Sequence, residues 1–225
     1  MNFLSHYYFD RSNQDASVVM GTVLPDLIKN AMKDANLYPQ KNEFLFKGNP
    51  DEENLLTGWK RHLAVDLHFH SSAFFFEKTA VLKQLIKPVV ENTLVRPSFL
   101  AHIGLELLLD HLLIEHNLIQ VNHFYDHLNA INKESLTDFL EHCGLKDQTV
   151  FFKFLDGFIS SKYLLSYQKI DNISYALNRI CMRLWPETLG EKQLQQLTFE
   201  LVVFKEILQK DFMAIFEEIE RKLEI

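Results

Sequence analysis

Phe99 to His116, FLAHIGLELLLDHLLIEH, is the stretch that most restricts what this chain can fold into. Leu, Ile, Ala and Phe occupy almost every side of its helical wheel, and a helix that is apolar all round has to be enclosed by other elements. No segment of the chain alternates apolar and polar residues as a strand would, so the enclosing elements must be helices. A few polar side chains interrupt this apolar surface. His102, Glu106 and Asp110 recur at steps of four and form one stripe, with His111 about 100° round from Asp110. Carboxylates enclosed in this way are costly unless they are paired, protonated or bound to a cation.

A second segment repeats the pattern. Asn49-Pro50-Asp51-Glu52-Glu53 supplies a cap, a Pro for the first turn and acids at the positive end of the dipole, which predicts a helix over about 50–75. Within it, GWKRHLAVDLHFH sets His62, Asp66 and His70 four apart. Any one of His6, His68 or His102 alone reads as a core histidine with a satisfied hydrogen bond. Ligand-type groups one turn apart on two helices are different, because bundle helices build metal sites between them in this way. Mixed imidazole and carboxylate donors suit Mn, Fe, Zn or Mg. The non-chemical alternative is a helical interaction protein whose stripes are buried hydrogen-bond networks.

The rest of the chain is read in the same terms. Residues 2–9 predict a short buried helix holding His6, and 16–31 a helix kinked by Pro25, with Asp26 at the break. A loop follows to about 49. Further helices are expected over 78–95 with a kink at Pro88, near 120–130 and 134–143, after a cap at Asp147 with Val150 on its inner face, and after a cap at Asp171. The last of these places Arg179 and Arg183 one turn apart, a spacing that suits a phosphate clamp. His116, His123 and His127 take surface or capping roles. From 191 to 224, Leu194, Leu197, Leu201, Phe204, Leu208, Phe212, Ile215, Ile219 and Leu223 predict one uninterrupted helix. It packs through Leu201, Phe204 and Leu208, with a seam for a homodimer as the alternative.

With 47% hydrophobic residues, 7 Gly, 6 Pro and no Gly/Ser/Pro-rich linker, the chain reads as one all-α domain over 1–225, a compact multi-helix bundle. The formal charge of −7 argues against a nucleic-acid partner. The N-terminus lacks a basic region before an apolar run, and no apolar run of about 18 residues is free of charge, so neither a signal peptide nor a membrane span is expected. Cys143 and Cys181 stand in no zinc-binding spacing and suit a reducing cytoplasm. No GxSxG, P-loop or Gly-rich dinucleotide turn is present.

The opening MNFLSH, GTVLPDLIK from Gly21, GWKRHLAVD from Gly58, LDHLLIEH from Leu109 and the Tyr163–Arg183 region together resemble the acyl carrier protein phosphodiesterase family. That family is similar to the HD-domain phosphohydrolases. The resemblance implies a divalent metal, manganese first with Mg, Fe or Zn as alternatives, and hydrolysis of the 4'-phosphopantetheine arm from holo-acyl carrier protein as substrate and partner. Its motif residues fall on His6, Asp26, His62, Asp66, Asp110 and His111. These imply metal ligation by Asp26, His62, Asp66, Asp110 and His111, catalytic roles for Asp26 and His6, and phosphate contacts for Arg179 and Arg183. The chain departs from the family at Pro25, at Leu63-Ala64 where the family has a basic pair, and at His70 and Glu106 where it tends to have Asp. The lost basic pair leaves a second substrate class open, a nucleotide or small phosphodiester.

Overall fold

Wherever apolar residues recur at three and four and a cap or turn residue marks the end, the chain is helical. The computed structural model describes every residue except Glu187, Thr188 and Ile225, and among the described residues there is no strand: the protein is all-α. The helices are α1 (Phe3–Tyr8), α2 (Ala16–Ala31), α3 (Pro50–His70), α4 (Ala73–Ile86), α5 (Pro97–Glu115), α6 (Val121–Ala130), α7 (Lys133–His142), α8 (Thr149–Ser161), α9 (Ile170–Cys181), α10 (Glu191–Leu208) and α11 (Met213–Leu223). Short 3-10 turns cover Pro39–Lys41, Glu43–Phe46, Lys87–Val90 and Tyr163–Gln168. The chain forms two units, Met1–Asp66 with Ile119–Leu164, and Leu67–Leu118 with Leu165–Ile225.

In the first unit, α2 packs on α1, α6 and α8. Asp15 starts it by accepting from Ser17 N at 2.8 Å and Val18 N at 3.1 Å, and its other carboxylate oxygen accepts from Asn54 Nδ2 at 2.7 Å, tying that start to α3. α2 and α3 then touch through two glycines. A Cβ on Gly21 would lie 2.3 Å from the Leu55 carbonyl oxygen, and one on Gly58 would lie 2.1 Å from that of Val18. No larger residue permits this crossing. Around it lies an aromatic core in which Phe3 meets Phe158 at 4.9 Å, Tyr7 meets Phe124 at 5.3 Å and Phe46 meets Phe139 at 4.7 Å between centroids.

In the second unit, α5 is the central helix, packed on α4 and α9, while α10 covers α4 and α9 in turn. Gly104 on α5 lets Leu82, Leu177 and Leu201 close in, and a Cβ there would lie 3.1 to 3.9 Å from their methyl groups. By length and composition α5 could cross a membrane, yet 72% of that window is buried inside the protein, as the sequence reading required of an apolar core helix.

Several expected boundaries move. The helix expected over 50–75 ends at His70, because Ser72 turns the chain and caps α4 by accepting from Phe75 N at 3.0 Å. The single helix expected over 191–224 is two, α10 and α11. Asp147 precedes α8 by two residues, and Asp171 sits inside the first turn of α9. Val150 is exposed, since the buried stripe of α8 runs through Phe151, Leu155 and Phe158; Met182 and Leu184 lie past the end of α9 and are exposed. Pro25 lies inside α2, which continues through it to Ala31. Cys143 and Cys181 are free thiols.

Candidate metal centre

The glycine crossing places the main chain of α2 against the side of α3 one turn beyond Gly58. There the Thr22 carbonyl accepts from His62 Nδ1 at 2.9 Å. That bond places a proton on Nδ1, so in the neutral ring Nε2 is the nitrogen with the lone pair. His62 Nε2 lies 3.6 Å from Asp66 Oδ2, one helical turn on. His6, delivered by α1, stacks on His62 with centroids 3.9 Å apart and 17° between planes, and its Nε2 is 3.3 Å from Asp66 Oδ1. The same carboxylate oxygen binds the Met1 ammonium at 2.6 Å.

The electrostatics follow from this packing. His6 is only 1% exposed, and burial, with the neighbouring His62 and the Met1 ammonium adding to it, lowers its pKa to about 4 against the opposing pull of Asp66. It is therefore neutral at pH 7. Burial works against charge on Asp66, but hydrogen bonding from His6, the Met1 ammonium and the two imidazoles hold its carboxyl well below the usual carboxylate range.

The donor set suits a divalent ion. One ligand atom from each of His6, His62 and Asp66 lies within 4.8 Å of the others. Two of them, His62 Nε2 and Asp66 Oδ2, face each other 3.6 Å apart, a separation that one divalent ion can bridge. Two imidazoles and a carboxylate match Mn, Fe or Zn better than the all-oxygen surroundings that Ca or Mg prefer.

A second triad lies in the other unit. His102 and Glu106 stand one turn apart on α5, and His70 ends α3. His70 Nε2 is 3.1 Å from His102 Nε2 and 3.2 Å from Glu106 Oε1, and His102 Nε2 is 3.0 Å from Glu106 Oε1.

The remaining candidates are distributed as follows. Asp26, half-buried on α2 just after Pro25, has its main-chain carbonyl accepting from Asn30 Nδ2 at 2.9 Å. Asp110 is fully buried on α5. His111 repeats the tautomer pattern of His62: Nδ1 donates to the Tyr167 carbonyl at 2.7 Å, and Nε2 lies 3.8 Å from Glu115 Oε2, a carboxylate also held by Lys205. Burial lowers the pKa of His111. Asp26, Asp110 and His111 belong to neither triad. Arg179 and Arg183 are exposed, and because α9 ends at Cys181, Arg183 lies beyond the helix, so the expected one-turn pairing is not a helical one.

Sequence reasoning missed the Thr22 carbonyl and the Met1 ammonium, since main-chain groups leave no residue-type signal. It marked His102, Glu106 and His70 as polar stripes without joining them. A family model described as acyl carrier protein phosphodiesterase matches residues 1–219. No curated protein and no solved structure matches the chain.

Proposed function

Since the chain belongs to the acyl carrier protein phosphodiesterase family, we propose that it hydrolyses the phosphodiester joining 4'-phosphopantetheine to the serine of holo-acyl carrier protein, with a divalent ion held by His6, His62 and Asp66. The family match over nearly the whole chain carries the reading of substrate and reaction. The ligand atoms of His6, His62 and Asp66, within 4.8 Å of one another, support the metal.

A divalent ion there, manganese first, supplies Lewis acidity: a water nucleophile available at neutral pH and positive charge to offset the phosphodiester. The chain's own groups prepare for it. Thr22 holds His62 in the tautomer that presents Nε2. Burial keeps His6 neutral, so it remains a donor of lone pairs well below pH 7. Asp66 stays charged throughout the physiological range. Asp26, in the same unit, is proposed as a further ligand or proton carrier.

One observation favours a smaller substrate. Leu63, beside His62, is 39% exposed, and together with Ala64 it offers an acidic carrier no positive charge. Both substrates enter the test. The full chain, stripped of metal and reloaded with manganese, is expected to release phosphopantetheine from holo-acyl carrier protein, read as the mass loss of the carrier, and Asp66→Asn and His62→Gln are expected to abolish it. Cleavage of a small phosphodiester alone would overturn the carrier assignment. No turnover of either with Mn, Mg, Fe or Zn would overturn the enzymatic reading.

A further inference from the structure

The His70, His102 and Glu106 side chains form a triangle of ligand atoms with edges of 3.0, 3.1 and 3.2 Å. Protons satisfy at most two of its edges. If both Nε2 atoms carry hydrogen, each N–H can donate to Glu106 Oε1, and the His70–His102 edge is left with two donors and no acceptor. If only one does, the other Nε2 and the carboxylate face each other with lone pairs. Whichever tautomers form, at least one edge is left without a hydrogen bond. A single cation removes the conflict, because all three atoms then direct lone pairs at it.

The dimensions agree. Metal–ligand bonds of about 2.1 Å put neighbouring donors of an octahedral ion about 3.0 Å apart, and those of a tetrahedral ion about 3.4 Å apart. The observed edges fall in that interval at its octahedral end, with no side chain displaced. From these observations the geometry points to a transition-metal site of the two-histidine, one-carboxylate type at His70, His102 and Glu106, taking a divalent ion of the zinc, cobalt or iron class. Two imidazoles select against Mg and Ca. Three protein ligands on one face leave coordination positions for water or a small anion.

The surroundings fit a built site. Glu106 is buried, whereas the His70 and His102 side chains are 34% and 39% exposed, so an ion can enter from solvent. Phe75 packs edge-on against both rings, with centroids at 5.1 Å from His70 and 5.0 Å from His102, and this holds the imidazole planes in position. A cleft of about 300 Å³, with His102 as one wall and Phe75, Phe76 and Ser98 among its lining, opens beside the triad and carries one cation, Lys83. None of the three residues belongs to the His6, His62 and Asp66 set. The inference stands whether or not the proposed hydrolase activity does.

Cobalt(II) is the probe, because its visible bands report coordination by nitrogen. Metal-free full chain is titrated with Co(II), and bound metal is counted by equilibrium dialysis. The Asp66→Asn background is expected to keep one equivalent and its bands, displaced by Zn(II) but not by a large excess of Mg(II). Adding His102→Ala or His70→Ala is expected to remove that equivalent, an affinity loss beyond the roughly 10–100-fold that follows from disturbing an outer partner alone. Both histidines are partly exposed, so these variants should keep the wild-type far-ultraviolet dichroism. The conservative Glu106→Gln, which keeps shape and removes charge, is expected to weaken binding in the same direction. If His70→Ala and His102→Ala in that background fold and bind as much Co(II) as the background itself, or if the background binds none, the site does not exist.

Discussion

Gly21 and Gly58 meet backbone to backbone: a Cβ on Gly21 would lie 2.9 Å from the Gly58 Cα, and one on Gly58 would lie 2.8 Å from the Gly21 Cα. This contact sets the position of His62 in the first triad. One residue beyond Gly21 is Thr22, one turn beyond Gly58 is His62, and only helices this close let the Thr22 carbonyl fix the His62 ring.

Gly58→Ala is therefore expected to cost about 3 kcal/mol or more, because the clash is with main-chain atoms that no rotamer change relieves. It should weaken metal binding as well, by parting His62 from Thr22. Gly157 provides the control. A Cβ there meets nothing within 4 Å, so Gly157→Ala in the exposed face of α8 should be neutral or stabilise by up to about 1 kcal/mol. Urea unfolding of both variants separates the two cases, and equal effects would contradict the close crossing.

The same contrast shows what the sequence could reveal. α5 was legible because an all-round apolar helix has one solution, and the i, i+4 pairs of His62 with Asp66 and His102 with Glu106 were legible because they are local. The role of Gly21 was not legible, since its partner Gly58 lies in another helix and only the fold pairs them. The end of α10 was hidden for a different reason. Leu208, Phe212 and Ile215 stay in apolar register across the break, and the chain turns without Gly or Pro, through tight i−3 bonds from Asp211 N to Leu208 O and from Ala214 N to Asp211 O. Lys78 then holds that turn through Asp211 at 2.6 Å. A periodicity argument registers the continuing apolar face and passes over the change in direction.

Metal-free protein should lose stability between about pH 6.5 and 4. His6 has a pKa lowered to about 4 in the fold and about 6.5 in the unfolded chain. As pH falls through 6.5 the unfolded state takes up the proton first, and unfolding is favoured until the folded ring also protonates near 4. The full span is worth about 3 kcal/mol. Asp66, with its pKa depressed in the fold, adds its own loss only below about 4, where the unfolded carboxylate begins to protonate. Chemical denaturation in chelator at pH 7, 5.5 and 4.5 reads the slope. His6→Gln should flatten it, and an unchanged slope in that variant would contradict the assignment to His6.

Manganese should raise the melting temperature of metal-free protein. An ion that binds only the folded state at about 100 times its dissociation constant stabilises by about 2.7 kcal/mol. For a chain of this length that is a rise of roughly 5–10 °C. Asp66→Asn removes the carboxylate of the first triad and should cut the manganese response, while leaving a response to zinc at His70, His102 and Glu106. No rise with Mn, Mg, Zn or Fe would favour hydrogen-bond networks over metal sites.

Recognition of an acidic carrier gives the last prediction. The chain carries −7 overall, so its field repels an acidic partner, and the residue after His62 is the exposed Leu63. Leu63→Arg places a guanidinium beside the proposed metal triad without disturbing the core, since that side chain already points to solvent. For holo-acyl carrier protein, kcat/KM should rise several-fold at low salt, and the gain should fade as ionic strength shortens the reach of charge to roughly 3 Å near 1 M. For a small neutral-ended phosphodiester the rate should stay within about two-fold of wild type, because one rim charge acts on encounter rather than on the reacting bond. A gain that survives high salt, or that appears equally with the small substrate, would mean that the carrier does not dock across this end of α3.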